Sequence, residues 1–225
     1  MKRKIISIGI MILVIPVLII SGTVIFNSRH YALITLIVAT LSCVPFLISF
    51  ERRETNTRLF VVLAVLIALN VAGRFAFSFV PGFKPVTAMV ILTAMYFGPQ
   101  AGFLTGALTA VISNFYFGQG AWTPFQMFVW GFIGLLAGLI AEYLKKSITL
   151  LAIFGIIAGA LFSLLMDVWT ALWWDGTFVF SRYLAVTASA LPITALYAAS
   201  NLVFLLVLAK PIGKKLERIK NKYNI

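Results

Sequence analysis

This sequence has few acidic residues and almost no cysteine or histidine, and each shortage excludes a class of protein. Six residues are Asp or Glu against 18 Lys or Arg, and only 11% of the 225 residues are charged, which excludes an ordinary soluble domain. The single cysteine, Cys43, excludes an internal disulfide. The single histidine, His30, leaves no material for a HExxH zinc site or a histidine-based triad. The P-loop pattern GxxxxGK(S/T) does not occur either. Together, these absences lead us to assign no catalytic residue and no metal ligand.

Apolar residues, by contrast, are abundant. They make up 62% of the chain, and the mean hydropathy is +1.06, which is typical of an integral membrane protein. The hydrophobic segments predict an all-α, polytopic membrane helix bundle with spans at 5–26, 31–50, 57–79, 86–97, 101–117, 124–144, 148–174 and 183–209. The fourth segment would be about 18 Å long as a helix. It is therefore either a short tilted span or part of a re-entrant hairpin with the fifth.

Basic residues flank these spans unevenly. If both termini are cytoplasmic, most Lys and Arg fall in cytoplasmic segments, including 2–4, 52–58 and 210–222. This asymmetry predicts a multi-pass protein of the cell membrane with both termini cytoplasmic. The first span is long for a secretory signal and lacks a small-residue cleavage site, so we expect an uncleaved anchor. The net charge of +12 does not indicate nucleic-acid binding, because the basic residues set topology.

The third span carries alanine at every fourth position. Ala64, Ala68 and Ala72 fall on one face of a helix over 57–79. Small side chains allow another helix to approach closely, which is a main source of helix association in lipid. We therefore interpret this alanine strip as a docking face for a membrane partner.

Polar and ionisable residues interrupt the apolar spans near the expected outer surface. Asn70 and Arg74 lie in the outer section of the third span, Lys84 follows in the next loop, and Asp167 lies deep in the seventh span. Charged groups in a bilayer are costly and usually face the protein interior or a cavity. We expect Arg74 and Asp167 to form an ion pair, which is either a structural pair or the wall of a pocket.

The segment 113–130 collects hydrogen-bonding and aromatic groups around a glycine-rich turn. Its candidate ligand-binding residues are Asn114, Gln119, Trp122, Gln126 and Trp130. A turn alone would not need amides, an aromatic ring and two glycines together, so we favour ligand contact.

Two further tryptophans, Trp169 and Trp173, lie at the same predicted interface. Tryptophans at this depth form either an interfacial belt or a ligand-lining cluster, and the sequence favours neither. We include both residues among the candidate substrate-binding residues.

Small residues, mainly glycine, also recur at four-residue spacing in 98–114. Three more glycines lie close together in 131–138. Rows of small residues allow close helix packing in membranes. We expect this ridge to serve packing within the chain.

From residue 57 onward the chain resembles the substrate-binding (S) component of an energy-coupling factor (ECF) vitamin transporter. The likeness rests on the alanine strip, on a six-helix core with a short second helix, and on KPVTAMVILTAMYFGPQAGFLTG (84–106) and SNFYFGQGAWTPFQMFVWGFIG (113–134). These two segments are similar to S components associated with cobalamin. The two spans before them are a departure from the six-helix pattern, so we divide the chain into an N-terminal two-helix extension, 1–56, and a membrane core, 57–225.

The resemblance implies a non-catalytic function. Such a subunit binds a vitamin from outside, here cobalamin as transported ligand and not as cofactor. It delivers the vitamin inward by associating, through its alanine strip, with a transmembrane coupling subunit and two cytoplasmic ATPases. The absence of a P-loop in this chain agrees with ATP hydrolysis by partners.

Other functions stay open at this point. The chain could be an S component for another vitamin or small precursor. A secondary transporter should show internal repeats and broken helices around coupling-ion ligands, and no convincing repeat is visible. An intramembrane enzyme would need a site of an unfamiliar type.

Overall fold

The computed structural model describes residues 2–25, 31–50 and 56–224, and the regular structure of these residues is helical throughout. The helices are α1 (Lys2–Gly9), α2 (Ile15–Ile25), α3 (Tyr31–Phe50), α4 (Asn56–Ala76), α5 (Val86–Phe97), α6 (Pro99–Phe117), α7 (Trp122–Leu139), α8 (Ala141–Lys146), α9 (Ile148–Asp175) and α10 (Phe180–Tyr223). A π-helical segment, Ile10–Val14, joins α1 to α2. The predicted all-α membrane helix bundle is confirmed.

The helices follow the predicted spans closely, with two differences at their ends. The sixth span divides at Ile140 into α7 and the short α8. The last helix continues beyond 209 to Tyr223, so its basic segment extends the helix instead of forming a tail. Among the described residues, five helices are long and apolar enough to cross a membrane: Ile5–Ile25, Thr57–Ala76, Trp122–Leu139, Ile148–Asp175 and Phe180–Tyr223.

The short helix α5 lies at the centre of the bundle. Every side chain from 86 to 95 is buried, against neighbours on α4, α6, α7 and α10. A 12-residue helix in this position is covered by other helices and does not have to match the thickness of the lipid. Gly98, with φ of +94°, turns the chain directly into α6, which begins at Pro99.

Helices α6 and α7 cross with their backbones in contact. A Cβ atom on Gly102 would lie 2.8 Å from the carbonyl oxygen of Gly134, and Gly106 meets the backbone of Trp130 and Gly131 in the same way. No larger residue fits at these crossings without moving a helix. The predicted role of the glycine ridge in packing within the chain is confirmed.

The N-terminal helices share the hydrophobic core of the remaining chain. Met11, Ile15 and Ile19 are buried in one cluster with core residues such as Val129. The boundary that we predict at 56 adjoins residues 51–55, which lie outside the described ranges. His30 also lies outside them. The division into an extension and a core stays a prediction.

The loop 77–85, between α4 and α5, is tied to α10 near the end of the bundle where the cavity described below is found. The backbone N–H of Lys84 donates to Ser200 Oγ at 2.9 Å, and this hydroxyl donates to the Lys84 carbonyl at 3.1 Å. At Gly82, which has φ of +73°, a Cβ would collide with Ile193. The loop therefore lies directly on α10 and holds Lys84 in place.

Candidate functional site

A polar cavity lies between the helices that carry Arg74, Gln126 and Asn201. Its volume is about 100 Å³, and its lining combines cationic, amide and aromatic groups: Arg74, Gly82, Lys84, Val86, Thr87, Gln126, Trp130, Phe162, Tyr197 and Asn201. We call it the Arg74 cavity. Helices α4, α5, α7, α9 and α10 and the loop 77–85 all contribute to it, so the cavity exists only in the folded bundle.

Arg74 is the most strongly held residue of this lining. Its side chain is buried, and Nη1 donates to Asn114 Oδ1 at 2.8 Å and to Ser113 Oγ. The guanidinium carbon lies 4.6 Å from the centre of the Phe117 ring and 5.2 Å from that of Trp130, distances at which cation–π attraction operates. Arg74 Nε has no hydrogen-bond partner among the described residues. The guanidinium is thus held in one orientation through Nη1.

An amide relay extends from Arg74 to Gln126. Asn114 Nδ2 donates to Gln126 Oε1 at 2.8 Å and to Thr123 Oγ1 at 3.1 Å. Gln126 Oε1 thus accepts one hydrogen bond within the protein, and the Gln126 NH₂ group can donate to a ligand. Asn114 is buried behind the cavity and acts by positioning both Arg74 and Gln126.

Lys84 supplies a second cation. Its ammonium lies 5.3 Å from the centre of the Phe117 ring, and the residue is half-buried. Burial, and secondarily the nearby Arg74, lower the pKa of Lys84 below its usual value. Two cations that face one cavity favour a ligand rich in carbonyl oxygens or carrying negative charge.

Flat aromatic rings form a wall of the cavity next to Arg74. Trp130 and Phe162 stack with ring centres 5.3 Å apart at an interplanar angle of 22°, and Tyr197 meets Phe162 edge-on at 5.2 Å. Such a wall suits a planar ring system, because stacked and edge-on contacts both require flat partners.

The expected ion pair between Arg74 and Asp167 is not formed. Arg74 donates to Ser113 and Asn114 instead, so neutral side chains of α6 satisfy the guanidinium. Asp167 is buried and does not line the cavity, and its Oδ2 has no hydrogen-bond partner among the described residues.

The other predicted site residues divide into two groups, both outside the cavity lining. Asn70 and Gln119 use their amides within the protein: Asn70 donates to Thr109 and to the Val86 carbonyl, each at 3.3 Å, and Gln119 donates to the Val111 carbonyl at 2.9 Å. The second group is an aromatic cluster.

That cluster joins Trp122, Trp169 and Trp173. Trp169 is in ring contact with both of the others, at 5.9 Å in each case, and Trp173 is more than half exposed. The Nε1 of Trp169 has no hydrogen-bond partner among the described residues. A ligand-binding role for these three residues stays a prediction.

Sequence reasoning missed the contribution of α9 and α10 to the cavity. Phe162, Tyr197 and Asn201 line it, but none belongs to a polar or glycine-rich segment. Asn201 offered the clearest signal, because it is an amide within an apolar run, LYAASNLVFLL. It is buried, and its Nδ2 donates to the Gly155 carbonyl at 3.1 Å.

The alanine strip lies on the outer surface of the bundle. Ala64, Ala68 and Ala72 are all exposed, whereas Leu63 and Ile67 on the opposite side of α4 are buried. The strip is therefore accessible to a partner helix and lies away from the buried face of α4 that leads to Arg74.

Fold and cavity together define an α-helical integral membrane protein with a buried cationic and aromatic cavity. In the described residues no group of three or more His, Cys, Asp or Glu could hold a metal ion. Residues 54–218 match the family of the ECF-type riboflavin transporter, S component. Because this match covers well over half of the sequence, the chain belongs to that family, whose members are substrate-binding subunits of transporters. No solved structure is significantly similar to the chain.

Proposed function

We propose that this protein captures a vitamin from outside the cell in the Arg74 cavity and passes it inward as the S component of an ECF transporter. The observation that carries the proposal is the convergence of Arg74, Lys84 and Gln126 on one cavity with the stacked pair Trp130 and Phe162. Cations and an amide donor provide orientation, while the aromatic wall provides apolar contact, which is the usual composition of a small-molecule site.

Riboflavin is the first candidate ligand. The family name points to it, and its planar ring system, with carbonyl oxygens along one edge, complements a cavity lined by aromatic rings, two cations and an amide. The cavity of about 100 Å³ is smaller than the roughly 300–1,000 Å³ of typical ligand sites. It therefore accommodates only part of a vitamin, and the bundle must open further to admit a whole one.

Cobalamin is the second candidate, and a separate observation favours it. Half of the cavity lining, including Lys84, Gln126 and Trp130, comes from the two segments that resemble cobalamin-associated S components. The cluster of Trp122, Trp169 and Trp173 would then contact the flat corrin. Cobalamin needs a much larger opening of the bundle than riboflavin does.

Transport requires partners in the membrane and at its cytoplasmic surface. We propose that the exposed alanine strip contacts the transmembrane coupling subunit, and that two ATPases bound to that subunit drive delivery. This arrangement places the Arg74 cavity at the outer side and both termini in the cytoplasm, in agreement with the distribution of basic residues.

Calorimetric titration of the purified protein in detergent tests the ligand. We expect saturable binding of either riboflavin or cobalamin, weakened at least tenfold by Arg74→Gln, because a hydrogen bond to a charged group contributes about 1.5–3 kcal/mol. Arg182→Gln is the matched control, since Arg182 is exposed and pairs with Asp175 at 3.0 Å. Equal weakening by both substitutions would contradict the assignment of the cavity, and the lack of any binding to either vitamin would contradict both ligands.

A further inference from the structure

An apolar groove runs along the outside of the bundle between α4 and the last part of α10. Its volume is about 670 Å³, several times that of the Arg74 cavity. Buried Leu66, Met89 and Leu216 form its floor, and the walls are apolar side chains that include the exposed Val61, Val65 and Leu69. In a membrane protein such a groove is filled from the bilayer or by another protein.

One end of the groove carries positive charge. Arg58 is exposed and lines this end together with Tyr223, whereas Lys215 lines the groove farther along α10. The Arg58 guanidinium lies 5.8 Å from the centre of the Tyr223 ring, and the Lys222 ammonium lies 5.3 Å from the same centre. Two cations, Arg58 and Lys222, therefore flank one aromatic ring at the mouth of an apolar channel.

The dimensions of the groove match one leaflet of a bilayer. From Arg58 to Leu69, α4 rises about 16 Å at 1.5 Å per residue, which is about half of the 30 Å hydrocarbon core. A molecule that fills this groove has one apolar chain of leaflet length, with negative charge at the end beside Arg58 and Lys222.

We propose that this groove is a binding site for one anionic phospholipid. An acyl chain lies along Val61, Val65 and Leu69, and the headgroup phosphate lies beside Arg58 and Lys222. Basic residues next to a membrane surface attract anionic lipids, and the groove adds apolar contact that a surface patch lacks. The site is separate from the Arg74 cavity and does not depend on which vitamin is bound.

Native mass spectrometry of the full chain tests this proposal with two lipids that share dioleoyl chains, phosphatidylglycerol and phosphatidylcholine. We expect one retained phosphatidylglycerol per chain, bound at least tenfold more tightly than phosphatidylcholine. Arg58→Gln combined with Lys222→Gln should remove this preference. The control, Lys146→Gln combined with Lys214→Gln, changes the net charge equally at exposed residues outside the groove and should keep the preference.

A second variant tests the apolar part of the site. Val65→Trp fills the groove at an exposed position, where added volume does not disturb the core, and should weaken retention of both lipids at least tenfold. Equal retention of the two lipids by the wild-type protein, or loss of the preference in the control, would overturn the proposal. A dimer that Val65→Trp dissociates would assign the groove to a second copy of the chain. Unchanged lipid retention in Val65→Trp, with loss of coupling-subunit binding, would assign the groove to that partner.

Discussion

The side-chain oxygen of Asn114 accepts a 2.8 Å hydrogen bond from Arg74, and its amide nitrogen donates a second 2.8 Å bond to Gln126. One buried residue of α6 thus connects a cation on α4 to an amide on α7. Both connected residues line the cavity, and Asn114 does not. Buried polar networks of this kind fix side-chain orientation when their members are satisfied.

The first prediction concerns this contact. In a double-mutant cycle measured by thermal or denaturant unfolding in detergent, Arg74→Ala and Asn114→Ala should couple by about 1 kcal/mol, because hydrogen-bonded neighbours are not additive. The same cycle with Arg74→Ala and Asp167→Ala should show weaker coupling, since Arg74 bonds to Ser113 and Asn114 and not to Asp167. Stronger coupling to Asp167 than to Asn114 would restore the ion pair that the sequence suggested.

The second prediction concerns the pH dependence of binding. Burial and Arg74 lower the pKa of Lys84 below its ordinary 10.5, and a ligand whose carbonyl or anionic group contacts Lys84 should raise that pKa again. Affinity should therefore be constant below the lowered pKa of the free protein and fall as pH rises from that value to the pKa of the complex. Calorimetry across this range measures the fall. The Lys84→Met variant should bind the ligand more weakly, and its affinity should no longer depend on pH in this range. An unchanged pH dependence in this variant would assign the titration to another group.

The third prediction separates docking from binding. Ala68→Trp adds bulk to the exposed alanine strip, so it should abolish vitamin uptake by cells that contain the complete transporter. Binding by the isolated subunit should stay within about twofold, because the strip lies away from the cavity lining. The control is Ala188→Trp, an exposed alanine on α10, which should permit uptake. If cells with the Ala68→Trp variant take up the vitamin normally, or if the isolated variant loses vitamin binding, the strip is not the docking face.

The fourth prediction tests the backbone contact of α6 and α7. Gly134→Ala places a Cβ against the Gly102 backbone, and overpacking of this kind costs about 1–3 kcal/mol. The variant should unfold at a lower temperature in detergent than the wild type. Gly9→Ala is the control, because a Cβ there meets nothing within 4 Å. Equal melting temperatures for the wild type and Gly134→Ala would mean that the crossing is looser than described.

Much of the candidate site could be predicted from local sequence signals. Arg74 and Lys84 are noticeable because charge near lipid is costly, and Gln126 and Trp130 because they follow a glycine-rich turn. The aromatic wall was only half predictable: Phe162 and Tyr197 resemble any other apolar core residue until α9 and α10 bring them against Trp130. For Asp167 the sequence suggested a contact that the structure lacks. Arg74 and Asp167 were matched by their depth along two helices, but depth does not reveal which way each side chain faces.

The sequence by itself determined the class of protein, the helices and the exposed alanine strip. Hydrophobic length and four-residue spacing are local properties, so Ala68 could be assigned to a face of α4 without knowing its neighbours. Only the tertiary structure decided that Asn114, and not Asp167, holds Arg74, that α5 is enclosed at the centre, and that a groove opens between α4 and α10. These features depend on the rotation of each helix about its axis, which is set by side-chain packing between segments distant in the chain.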